Sequence, residues 1–86
     1  MMFVVFYSNQ ALKFLRGCEK QLQLRILEKI ELLKNEPIGH DSKSVKGFKE
    51  KLFRVRVGDF RILYEVDHNN KIIGIVKIDK RSSVYD

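Results

Sequence analysis

Three arginines within the stretch Leu52 to Val66 (LFRVRVGDFRILYEV) carry the strongest chemical signal in the chain. Arg54 and Arg56 alternate with Phe53, Val55 and Val57, and Arg61 alternates with Phe60, Ile62, Tyr64 and Val66. Successive strand residues point to opposite faces, so the pattern predicts two strands with one apolar face and one arginine face. Gly58-Asp59 between them predicts a tight turn. A guanidinium presents planar, forked donors that match phosphate oxygens, and three on one surface predict a platform for an anion. The competing expectation is an ordinary solvated face. Like charges on adjacent strands repel, however, so such a cluster needs a compensating reason.

The rest of the charge points the same way. The 86-residue chain holds 17 basic and 11 acidic residues, a formal net charge of +6, and has a pI of about 9.6. Residues 43–61 hold seven basic and two acidic residues, against six and five in 1–42 and four of each in 62–86. Nearly all the excess therefore sits on the hairpin and the connection leading into it, where Lys43, Lys46, Lys49 and Lys51 lie. That placement favours a polyanionic partner such as nucleic acid. Cys18 is alone, which rules out an internal disulfide and suits a reducing cytoplasm. One cysteine and two distant histidines, His40 and His68, argue against a metal site, and no cofactor is expected. With 44% hydrophobic and 33% charged residues, the chain reads as one soluble domain over 1–86, with no signal peptide or membrane span.

The elements that must position the hairpin follow from periodicity. Residues 2–7 (MFVVFY) predict a short buried strand. Ser8 then caps a helix over Asn9 to Arg16, with Ala11, Leu12 and Leu15 at helical spacing and Gly17 ending it. Leu22, Ile26, Ile30 and Leu33 define one stripe of a second helix from Glu19 to Asn35, which Pro37 stops. Residues 38–51 read as a polar connection. After the hairpin, Asp67-His68-Asn69-Asn70 predicts a turn with asparagines at positive φ. A last strand over Lys71 to Asp79 would place Ile72, Gly74, Val76 and Ile78 on one face and Ile73, Ile75 and Lys77 on the other. The order β-α-α-β-β-β predicts an α+β fold, a small mostly antiparallel sheet with two N-terminal helices packed on one face. The arginine face would stay open.

The run KGFKEKLFRVRVGDFRILYEV, with KRSSVYD at the end, closely resembles the RelE/ParE toxin superfamily. Its members share a loop glycine, an R-x-R-x-G-x-x-R-x-x-Y hairpin and a closing H-R-x-x-V-Y, and the likeness extends over essentially the whole chain. The resemblance implies a RelE-like fold and a RelE-type toxin of a toxin–antitoxin pair. In the RelE branch it further implies cleavage of messenger RNA on the ribosome, inhibition of translation, and silencing by a cognate antitoxin. The basic pair implied as catalytic falls on Arg54 and Arg56, the arginine after the turn on Arg61, the tail arginine on Arg81 and the terminal tyrosine on Tyr85. The best-known RelE enzymes carry lysines where this chain has Arg54 and Arg56, and an arginine keeps its proton near neutral pH, so those two would act electrostatically. Lys80 stands where the tail histidine is common. The implied chemistry is metal-independent attack of the RNA 2′-hydroxyl on its own phosphate, with Tyr85 as base and Arg81 as phosphate clamp. Lys46, Lys49, Lys51 and Lys80 would contact RNA. Two other readings stay open: a non-catalytic ParE-like inhibitor of DNA gyrase, and a nucleic-acid-binding accessory domain.

Overall fold

The computed structural model describes residues 2–39, 41–45 and 52–80. The apolar run at the front forms β1 (Val4–Tyr7), followed by α1 (Asn9–Gly17) and α2 (Lys20–Asn35). A three-residue strand, β2 (Lys43–Val45), lies inside the stretch expected to be an irregular connection. The hairpin is β3 (Leu52–Val57) and β4 (Phe60–Asp67), and β5 (Ile72–Lys80) follows. The sheet order is β1-β5-β4-β3-β2. Only the β1–β5 pair among these is parallel, so the mostly antiparallel α+β expectation holds, with β2 as an addition.

Local chemistry accounts for the element ends. The Ser8 hydroxyl accepts from the Ala11 N–H at 3.1 Å, satisfying one of the donors left over at the start of α1. That helix stops at Gly17, where the Cys18 N–H reaches back to the Phe14 carbonyl. Between β3 and β4, Val57 pairs with Phe60, and Gly58 takes φ 59°. Positive φ at the first turn residue alone is the signature of a II′ hairpin turn, which suits glycine in that place. In the next turn the positive φ falls on Lys71 and not on the asparagines. Asn70 instead donates its backbone and side-chain N–H groups to the Asp67 carboxylate, a local bond that organises the turn without left-handed backbone.

Both helices cover one side of the sheet. Ala11 and Leu15 of α1 and Ile26, Ile30 and Leu33 of α2 pack on Val55, Val57, Ile62, Tyr64, Ile73, Ile75 and Ile78. Each fully buried isoleucine there contributes about 1.5–3 kcal/mol of transfer free energy. The face assignment along β5 departs from simple alternation. Tyr64 pairs with Ile75 and Leu63 with Lys77, which leaves Val76 as the extra residue of a β-bulge. Beyond the bulge the parity flips, so Ile73, Ile75 and Ile78 face the core, and Ile78 does not share a side with Ile72. The backbone here is satisfied from α1 and its cap. Ser8 Oγ donates to the Val76 carbonyl at 2.7 Å, and the Gln10 amide bonds both the carbonyl (2.8 Å) and the N–H (2.9 Å) of Ile78. Strand β1 ends opposite Ile75, and the Gln10 amide continues the ladder in place of a peptide group.

Candidate functional site

Arg54, Arg56 and Arg61 sit on the side of the sheet away from both helices, because their neighbours Val55, Val57 and Ile62 are the ones buried beneath them. Strand pairing then gathers these cations. Arg56 lies directly across from Arg61, and Arg54 directly across from Lys43 of β2. Opposed residues on adjacent strands keep their Cβ atoms roughly 4.5–5.5 Å apart, so four cations from three strands share one patch.

Asp79 is the acid that borders them from β5. It pairs with Arg61 across β4 and β5, and Arg61 Nε donates to Asp79 Oδ1 at 2.8 Å while Nη2 donates to Oδ2 at 3.5 Å. Lys77 Nζ stands 3.6 Å from the same carboxylate. The Arg61 and Asp79 side chains are only 15% and 24% exposed, so solvent screens this pair less than a fully exposed one. An ion pair here offsets the repulsion between Arg56 and Arg61. The bulge makes it possible. Strict alternation from Ile75 would have turned Asp79 toward the helices, and the extra residue Val76 turns it outward.

A second set of bonds places Lys43. Tyr64, fully buried, donates its hydroxyl to the Pro37 carbonyl at 2.6 Å. A phenol has one proton to give, so Ser42 Oγ donates to Tyr64 at 2.7 Å, and the Gly39 N–H in turn donates to Ser42 Oγ. Burial raises the Tyr64 pKa above the usual 10.0, with the Ser42 hydrogen bond acting in the opposite direction. Lys29 of α2 holds Asp41 at 2.7 Å. Pro37, Gly39, Asp41 and Ser42 are thus fastened to sheet and helix, and Lys43 emerges beside Arg54.

Comparison with known proteins decides the family. A sequence model described as ParE toxin of type II toxin-antitoxin system, parDE, matches residues 5–85. The chain is 34% identical over 87 residues to a Methanocaldococcus jannaschii protein named as a RelE1 toxin, covering 99% of this chain and 97% of that one. The chain belongs to the RelE/ParE toxin family. Among solved structures, this RelE/ParE chain is similar to one in the archaeal RelE-RelB complex of Pyrococcus horikoshii OT3, with a TM-score of 0.83 at 31% identity over 96% of this chain and 99% of that one. A chain of the Methanococcus jannaschii RelB-RelE antitoxin-toxin complex gives a TM-score of 0.70 at 27% identity, covering 94% and 95%. The isolated E. coli RelE toxin shares the fold, with a TM-score of 0.79 at 18% identity over 96% and 90%.

Of the residues that sequence singles out in this RelE/ParE chain, Arg54, Arg56 and Arg61 come together as described. Lys80 pairs with Phe60, whose ring meets Phe14 of α1, so Lys80 falls on the helix side of the sheet and not on the arginine face. Lys46, Lys49, Lys51, Arg81 and Tyr85 lie outside the described residues, as does His40. His68 sits in the β4–β5 turn with its ring edge-on to Phe3. Among the described residues no group of three His, Cys, Asp or Glu could hold a metal ion, and no helix is long and apolar enough to cross a membrane. Sequence reasoning passed over Asp79 as a strand-end residue and Ser42 as loop. The available signal was Tyr64, since a buried phenol needs a hydrogen-bond partner.

Proposed function

We propose that this RelE/ParE-family chain is a ribosome-dependent endoribonuclease, cutting messenger RNA in the cytoplasm and so stopping translation. The observation that carries this reading is the helix-free patch of Arg54, Arg56, Arg61 and Lys43, gathered from three strands. When the RNA 2′-hydroxyl attacks the adjacent phosphate, the protein needs no nucleophile of its own. It must align the chain, neutralise charge on a phosphorane-like transition state and move two protons. The guanidiniums supply the neutralising charge, so the chemistry calls on no metal or other cofactor, and being always protonated they leave proton transfer to other groups. The family resemblance assigns that work to Tyr85, with Arg81 beside it favouring the phenolate. Lys46, Lys49, Lys51 and Lys80 then serve as contacts to RNA of the message or ribosome.

A cognate antitoxin is the proposed protein partner. Its support is the likeness to chains solved as RelE-RelB complexes from Pyrococcus horikoshii and Methanococcus jannaschii. The test is cleavage of ribosome-bound message by wild-type protein and by Arg61→Ala, Arg81→Ala and Tyr85→Phe. Cutting by the wild type and loss in the variants supports the reading; an intact message in every reaction removes it. A second reading has its own observation, since the matching family description is that of a ParE toxin, and a shared fold does not separate the two activities. Inhibition of gyrase supercoiling by the purified protein, with translation unaffected, would establish that alternative.

A further inference from the structure

The structure assigns Asp79 a positioning role: its carboxylate holds the Arg61 guanidinium in one orientation on the arginine face, lowering overall attraction for polyanions while aligning one phosphate clamp. This rests on the reading that the arginine face meets a phosphodiester. An acid is costly to a surface that only needs to attract phosphate, because it cancels part of the local positive field. Yet Asp79 borders the patch from β5, with Arg61 Nε at 2.8 Å and Lys77 Nζ at 3.6 Å. Of the acids on this side of β4, Glu65 lies across Gly74, where its Oε1 is 3.1 Å from the position of an added Cβ, and Asp67 accepts from Asn70 in the β4–β5 turn. Asp79 therefore acts alone on the arginines among the described acids of that patch.

The bond geometry says what it does. Engaging a guanidinium along its Nε–Nη2 edge fixes the plane of a side chain that otherwise samples many rotamers, and it opposes the repulsion from Arg56 directly across the strand pair. A group oriented before substrate arrives needs no reorganisation in the transition state. The device is built in from elsewhere in the fold. The Val76 bulge turns Asp79 to this face, and Ser8 and Gln10 hydrogen-bond the backbone of that bulge.

The experiment follows three readouts in wild type, Asp79→Asn, Asp79→Glu, Arg61→Ala and the Arg61→Ala/Asp79→Asn double variant. These are the NMR signal of the Arg61 Nε–H, the affinity of a non-cleavable single-stranded oligonucleotide, and kcat and KM for ribosome-bound message. In Asp79→Asn the Nε–H signal should shift and broaden, the oligonucleotide should bind about threefold tighter at low salt, and kcat should fall about tenfold through misplacement. Asp79→Glu should restore part of kcat. In the Arg61→Ala background Asp79→Asn should change kcat no further. Opposite movement of affinity and kcat separates positioning from mere destabilisation, which would weaken both. An unchanged kcat in Asp79→Asn, or an equal loss in the Arg61→Ala background, overturns the assignment. Absence of cleavage by the wild-type protein sinks the nuclease reading alone. The Nε–H signal and the oligonucleotide affinity then decide, and if Asp79→Asn moves neither, Asp79 does not hold Arg61.

Discussion

On the side of the sheet away from the helices, the half built by β2, β3, the start of β4 and the end of β5 displays Lys43, Arg54, Arg56, Arg61, Lys77 and Asp79. The other half, built by β1 and the start of β5, displays Val4, Phe6 and Ile72, with Val4 57% and Phe6 60% exposed. Apart from the bulge at Val76, both halves obey the same alternation rule, and both lie opposite a core strand face. What differs is what the outward side chains can recognise. An apolar surface has no pull on phosphate, whereas guanidiniums held by a neighbouring carboxylate are attractive and ordered at once. Glu65 lies between the halves, with its carboxylate over Gly74, where a side chain on the glycine would crowd it. An uncovered sheet face is thus no functional statement in itself; the charge set and its internal partner make it one.

The largest contrast should come from removing a central cation and an apolar residue in parallel. Arg61→Ala is expected to slow cleavage of ribosome-bound message about 10²–10³-fold, or about 2.7–4 kcal/mol of transition-state stabilisation. Phe6→Ser should leave the rate unchanged in the same assay. Equal losses would erase the distinction drawn between the halves.

Next in size is the anchor beneath Lys43. Tyr64→Phe strands the Pro37 carbonyl and the Ser42 hydroxyl, and should cost about 1–3 kcal/mol in urea unfolding. It should also speed amide exchange in β2. The same residue predicts an alkaline weakness. Its pKa is raised in the folded chain by burial, so above 10.0 the unfolded chain loses its proton first. The unfolded state then binds fewer protons, and stability falls as pH rises toward the folded pKa, while below 10.0 the contribution is fully present. Denaturation curves from pH 8 to 11 should show a steeper decline for wild type than for Tyr64→Phe; Tyr7, also raised by burial, accounts for part of what remains.

Gly58→Ala forces a side chain into left-handed backbone at φ 59°, and should cost about 1–2 kcal/mol, read as a lowered Tm. The added methyl would also meet the Arg25 guanidinium at 3.4 Å. Smallest of all, Lys43→Ala should reduce the salt dependence of single-stranded RNA binding by about 0.7 in log–log slope, the share of one phosphate contact. A change on the apolar half, such as Val4→Ser, should leave that slope alone.

Much of this was legible beforehand because the informative rules are local. The alternation of Arg54 and Arg56 with Val55 and Val57 needs only the pleat of a strand, and Gly58 at positive φ needs only the turn. The stripe of Ile26, Ile30 and Leu33 and the cap at Ser8 likewise depend on residues a few positions apart. Strand β2 was not legible. Three residues are too few to show a period, and Lys43–Val45 is held by pairing with β3 and by the Tyr64–Ser42 bond across 22 positions of sequence.

By itself, then, the sequence determined that helices cover one side of a hairpin, that three arginines face the other, and that the positive charge gathers there. Only tertiary structure decided that β1 runs parallel beside β5, that Lys43 joins the arginines, and that Asp79 points at Arg61 and not at the core. The physical reason is that alternation counts residues along one strand, while a bulge is defined by the register between two. Whether Val76 is the extra residue depends on Tyr64 meeting Ile75 and Leu63 meeting Lys77, a match that no window along the chain contains.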